Sequence, residues 1–103
     1  HIDDVVNVNM HFYQSKISGI FNCGTGVSQS FCRIAEILKV QQPLGSVKYI
    51  EFPSELNGKY QTFTQADLSK LRKSGYNHEF LSLFDGIKSY YNILDKSNGY
   101  YLD

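Results

Sequence analysis

Apolar residues recur at helical spacing in four stretches of this chain and gather into short β-prone runs in two others. Val5, Val8 and Phe12 step along one helix face, with Asp3 or Asp4 placed to cap it and Ser18-Gly19 to end it. Phe31, Ile34, Ala35 and Leu38 form a second apolar stripe behind Ser30, a capping residue. A third helix is predicted from Thr64, carrying Leu68 and Leu71, with Asp67 three residues on from the cap and Gly75 as its stop. The last carries Phe80, Phe84, Ile87, Tyr91 and Leu94. Between them, Gly19 to Gly24 reads as a short buried strand entering the turn Gly24-Thr25-Gly26, and Val47 to Phe52 as a second strand closed by Pro53. The predicted order is helix, strand, helix, strand, helix, helix. This is an α/β chain, a small mixed lobe over residues 1–95 with a polar tail over 96–103.

Such a lobe lacks cover. An isolated pair of short strands is marginal in water and needs a layer to pack against. The helices carry more apolar stripe than two strands can hide, so the pattern implies a partner surface, most simply the rest of the same polypeptide.

A length of 103 residues allows one domain with a limited core. With 42% hydrophobic residues the chain is ordinary for a folded protein. Ten basic and ten acidic residues give a formal net charge of zero, which argues against a nucleic-acid partner held by general electrostatics. No apolar run approaches the roughly 20 residues that span a bilayer, so no membrane partner is expected. The start, His1 with Asp3 and Asp4 close behind, does not read as a signal peptide. Cys23 and Cys32 lie nine positions apart without a CxxC motif. They read as small apolar core residues whose reduced thiols suit the cytoplasm.

The stretch Leu56-Asn-Gly-Lys-Tyr-Gln-Thr-Phe-Thr-Gln-Ala-Asp-Leu68 holds the candidate chemistry. A glycine turn delivers Lys59, Tyr60 and Gln61, a cation, a phenol and an amide, from a loop held at both ends. That set suits an anionic, ring-bearing ligand: Tyr60 offers a flat face with a polar tip and Lys59 a point charge for a diphosphate. Other constellations are weaker. Gly24-x-Gly26 lacks the third glycine and the immediate helix start of a dinucleotide fingerprint and reads as a tight turn. His1, His11 and His78 have no second ligand at metal spacing and read as surface or loop residues. No nucleophile-elbow pattern supports hydrolase chemistry. Lys70, Arg72 and Lys73 read as a solvated face late in a helix, where cations favour the dipole.

Several blocks together resemble the ADP-glyceromanno-heptose 6-epimerases, which are extended short-chain dehydrogenases/reductases. The blocks are Asp4-Val5 and Val8-Asn9, Ser18-Gly-Ile-Phe-Asn-x-Gly-Thr-Gly26, Ser30-Phe31, Tyr49-Ile-x-Phe-Pro53, Gly58 to Leu68, Leu71-Arg72 and Gly75-Tyr76. Gly58 to Leu68 is the specific part; Asp67-Leu-Ser-Lys-Leu with Gly75-Tyr76 is similar to extended reductases at large. The resemblance covers only the C-terminal third of such an enzyme. It implies a substrate-binding lobe in which Tyr60 and Lys59 meet an ADP-heptose. NADP would be held by an N-terminal Rossmann domain outside this chain. The whole enzyme would oxidise the sugar transiently, return hydride to the opposite face and feed lipopolysaccharide core synthesis from the cytoplasm, as a homo-oligomer. One departure is Lys59, where the family often has Arg, whose fork grips phosphate in bidentate fashion. No Tyr here has Lys at the fourth position, Tyr13 being followed by Lys16. No catalytic residue is therefore assigned to this chain. Two alternatives stay open: a piece of another nucleotide-sugar epimerase or dehydratase, or a non-catalytic binding module.

Overall fold

Helix α1 forms where a stripe at positions 4, 8 and 12 can be buried. The computed structural model describes residues 1–97, and α1 covers Ile2–Ser15. The stripe differs from the expected one. Asp4 and Val8 are buried while Val5 faces outward, because Asp4 has a partner inside: both its carboxylate oxygens accept the Leu81 N–H at 3.3 Å. The cap falls to His1, whose Nδ1 accepts the Asp3 N–H at 3.3 Å. The helix ends at Lys16, in left-handed conformation at φ 57°, with its N–H on the Phe12 carbonyl at 3.0 Å.

Helix α2, Phe31–Gln41, starts where Ser30 predicted, its Oγ accepting the Arg33 N–H at 3.2 Å. Helix α3 is one short piece, Ser69–Lys73, and α4 runs Leu83–Lys96. Phe80 lies before α4 because Ser82 caps it: Ser82 Oγ accepts the Asp85 N–H at 3.1 Å and donates to Asp85 Oδ2 at 2.5 Å. Gly75 follows α3 at φ +91°, as a helix stop requires. The described part of the 96–103 tail, Lys96 and Ser97, completes α4; residues 98–103 lie outside the described residues.

No strand forms among the described residues, so the α/β expectation reduces to a small helical lobe. The reason is physical. A strand exists only when its N–H and C=O groups are paired with a neighbour, and neither 19–24 nor 47–52 has a neighbouring ladder here. Tyr49 and Ile50 of the second run stand 79% and 78% exposed.

The core gathers Val8, Leu71 and Tyr76, with Phe12, Phe21, Leu68 and Phe80 packed around them. Phe12 and Phe21 stack at 4.2 Å between ring centroids. Of the three basic residues, Lys70 and Lys73 are exposed as a solvated face requires, while Arg72 is partly buried at this core's rim. Arg72 donates to the carbonyls of Tyr76 and His78 at 3.0 and 2.7 Å. Lys70 donates to the Ile20 carbonyl at 2.8 Å and lies 4.8 Å from the Phe21 ring centre. Apart from this, α2 packs against α4, with Ile37 buried and Gln42 Nε2 donating to the Tyr91 phenol.

The whole is open. It exposes 8557 Å² of surface, against about 5,900 Å² for a compact monomer of its mass. The Cα radius of gyration is 17.0 Å, where about 13 Å is usual for a domain of this length.

Candidate functional site

Residues 52–61 build a loop that is closed twice by its own backbone. Pro53 leads into a 3₁₀ turn at Ser54–Leu56, closed when the Asn57 N–H reaches the Ser54 carbonyl at 3.2 Å. The Leu56 carbonyl then accepts from both Lys59 N–H at 3.0 Å and Tyr60 N–H at 3.2 Å. That closure needs a left-handed residue, and Gly58 supplies it at φ +71°. The reversal returns the Tyr60 ring to Phe52, edge to face, with centroids 5.5 Å apart and planes at 70°.

The loop thus presents what its sequence offered. Tyr60 remains 44% exposed, Lys59 and Gln61 are exposed, and Lys59 makes no ion pair among the described residues. An ammonium without an ion pair and a half-exposed phenol, carried on adjacent residues of one closed loop, suit an anion and a flat group. Phe52 is the neighbour that sequence reasoning missed. The signal was available as an aromatic directly before the proline that starts the turn.

Downstream, Thr64 caps no helix. Residues 65–67 are instead tied sideways to the glycine turn: Gln65 Nε2 donates to the Gly26 carbonyl at 2.7 Å and Asn22 Nδ2 to the Asp67 carbonyl at 3.1 Å. Helix α3 can begin only after these ties. Leu68 stands at the cap position without a side-chain hydrogen bond, and Asp67 before it accepts the Ser69 N–H at 2.9 Å and the Ser69 hydroxyl at 2.6 Å, which holds its carboxyl below the ordinary carboxylate value. Gly24 and Gly26 face this segment. A Cβ on Gly24 would touch Ala66 at 3.5 Å, and one on Gly26 would lie 3.2 Å from Leu68 Cδ1.

Two hollows open elsewhere. One of about 610 Å³, mostly apolar, lies between His1, Val27, Leu83, Ile87 and Tyr90; the other, of about 760 Å³, lies by Thr25, Gln65 and Arg72. Tyr60 lines neither. The cysteines are exposed and unpaired rather than core residues, since Ile37 and not Cys32 occupies the inward position of α2. Protein mass around Cys23, then the Asp4 charge, pushes its thiol up. Nor are the histidines all superficial. The His1 side chain is nearly covered, with Nε2 unpartnered, and His11 Nε2 pairs with the Ser74 carbonyl at 3.2 Å.

No protein-family profile matches the chain. Over 101 residues, however, it is 52% identical to the ADP-L-glycero-D-manno-heptose-6-epimerase of Brachyspira hyodysenteriae. The chain is similar to part of a heptose epimerase. The match takes in 97% of the chain and 32% of the epimerase, so the chain spans about a third of the curated relative's length. The 52–61 loop falls within the matched stretch. None of the described helices is long and apolar enough to cross a membrane.

Proposed function

We propose that this chain is the sugar-nucleotide-binding lobe, the C-terminal third, of an ADP-L-glycero-D-manno-heptose 6-epimerase. The observation that carries the reading is 52% identity over 97% of the chain to an enzyme of that name. The loop supports it: Lys59 and Tyr60 stand exposed on a backbone closed at Leu56 and reversed at Gly58, suited to a diphosphate and an adjacent ring. The open shape supports a partner in the same polypeptide, because about 2,600 Å² of surface in excess of a compact monomer is of the order that obligate interfaces bury.

The residues of this chain do not fit NADP. The 24–26 turn packs its glycines against Ala66 and Leu68, and the following helix begins only at Phe31, so no pyrophosphate cradle forms. A dinucleotide would be held by a Rossmann domain in the remaining two thirds, and no chemical step is assigned to residues here. Their part is to bind and orient the substrate. Homo-oligomeric assembly and a cytoplasmic setting, in the service of lipopolysaccharide synthesis, belong to the same reading.

The test is Tyr60 in the full-length polypeptide. Tyr60→Phe removes one hydroxyl and should cost about 1.5–3 kcal/mol of binding if that hydroxyl meets a charged phosphate. Tyr60→Ala removes the ring face as well and should cost more. The KM for the sugar nucleotide should rise while folding and NADP content stay as they were. Unchanged kinetics in Tyr60→Ala, or simple unfolding, would remove Tyr60 from the site.

A further inference from the structure

We infer that Phe52 is a positioning residue for Tyr60, setting the plane in which the phenol meets the sugar nucleotide; this rests on Tyr60 being a substrate contact. The geometry is specific. Pro53 at φ −56° starts a turn, the Leu56 carbonyl closes it with two N–H groups, and Gly58 reverses it. The outcome is that residues 52 and 60, remote from each other along the turn, meet ring to ring at 5.5 Å and 70°. Edge-to-face is the arrangement that aromatic quadrupoles favour.

Neither ring serves the core. Phe52 is 52% and Tyr60 44% exposed, and the buried cluster of Val8, Leu71 and Tyr76 includes neither. A contact between two half-exposed rings does little for folding, but it restricts the Tyr60 side chain. A free phenol on a surface loop would choose among staggered rotamers and lose that freedom on binding. With Phe52 against it, part of the ordering is done before the ligand arrives. Phe52 therefore acts on affinity through Tyr60, without touching the reacting atoms.

The experiment is a double-mutant cycle in the full-length polypeptide, with KM and kcat measured for the ADP-heptose. Phe52→Leu keeps an apolar side chain and removes the ring, and should raise KM about two- to tenfold at unchanged kcat, the range expected for one aromatic pair. In the Tyr60→Ala background the same change should add nothing, because its only means of action is gone. Phe52→Tyr keeps the ring and should restore the parental KM. Should Phe52→Leu fail to fold, Phe52→Met asks the same question with a flexible filler. A raised KM in Tyr60→Ala with parental kinetics in Phe52→Leu would overturn the positioning role alone. Additive effects would do the same. Parental kinetics in Tyr60→Ala would overturn the substrate contact, and the role of Phe52 with it.

Discussion

Two glycines with nearly the same backbone angle allow strain to be separated from packing. Gly26 sits at φ +72° and Gly58 at φ +71°. A Cβ on Gly58 would meet nothing within 4 Å, whereas one on Gly26 would lie 3.2 Å from Leu68 Cδ1 and 3.5 Å from Leu68 Cγ. Gly58→Ala therefore carries only the left-handed penalty, about 1–2 kcal/mol. Gly26→Ala carries that penalty and must also displace Leu68, a partly buried side chain packed against the buried cluster. Overpacking adds about 1–3 kcal/mol, and the flexible end of a leucine places this case in the lower half of that range. The total is about 2–4 kcal/mol for Gly26→Ala, at least 1 kcal/mol beyond Gly58→Ala. Urea titration of the two variants side by side, in a fixed concentration of stabilising osmolyte, reads the difference from the midpoints. Equal midpoints would refute the claim that the 24–26 turn is shaped to receive Leu68. A larger loss from Gly58→Ala would refute the account of both sites.

The chain alone should bind a hydrophobic dye and melt at low temperature, given its excess surface; a cooperative melt at high temperature without dye binding would contradict this. It should not bind NADP by calorimetric titration, and micromolar affinity would overturn the domain assignment. Tyr76 gives a pH test. Burial first, then the charges of Asp4 and Cys23, raise its phenol, against the opposing Arg72. The folded state thus holds that proton more tightly than the unfolded chain does. Stability is full below the ordinary phenol value of about 10 and declines as pH rises through the higher folded value. Urea midpoints should fall less steeply across this alkaline range in Tyr76→Phe than in the parent, and identical slopes would refute the role of Tyr76.

The helices were legible where local chemistry decides them. Ser30 capped its helix as its spacing promised, and Gly75 stopped another. The start of α4 was also written in Ser82 and Asp85, but the apolar Phe80 drew the expected boundary three residues early. What failed depends on contacts distant in sequence. Val47 to Phe52 has strand composition, yet composition supplies no partner for its backbone. Asp4 looked like a cap because nothing local announces an acceptor site for the Leu81 N–H, 77 positions away. Thr64 lost its helix to cross-ties from Asn22 and Gln65. The loop was legible in part: Lys59 and Tyr60 stand exposed as their residue types suggested, while the ring of Phe52 became visible only once the turn was folded.

The cross-ties from Gly26 to Gln65 and from Asn22 to Asp67 make a gate at the base of a long excursion. The buried cluster of Val8, Leu71 and Tyr76, and the Phe12, Phe21, Leu68 and Phe80 side chains packed against it, all lie outside it. Residues 27–64, with the Tyr60 loop near their end, leave that cluster and return to it at the same point, and within them α2 makes its own packing on α4 through Ile37. Because closing such a loop costs only about 0.6 kcal/mol more for each doubling of its length, insertions after Gln42, beyond α2 and its contact with α4, leave the energetics of both packed regions nearly untouched. The architecture therefore separates what must be kept from what can be varied. A new ligand preference can be drafted in the excursion, by lengthening or rewriting it, while the two anchor segments go on folding as before.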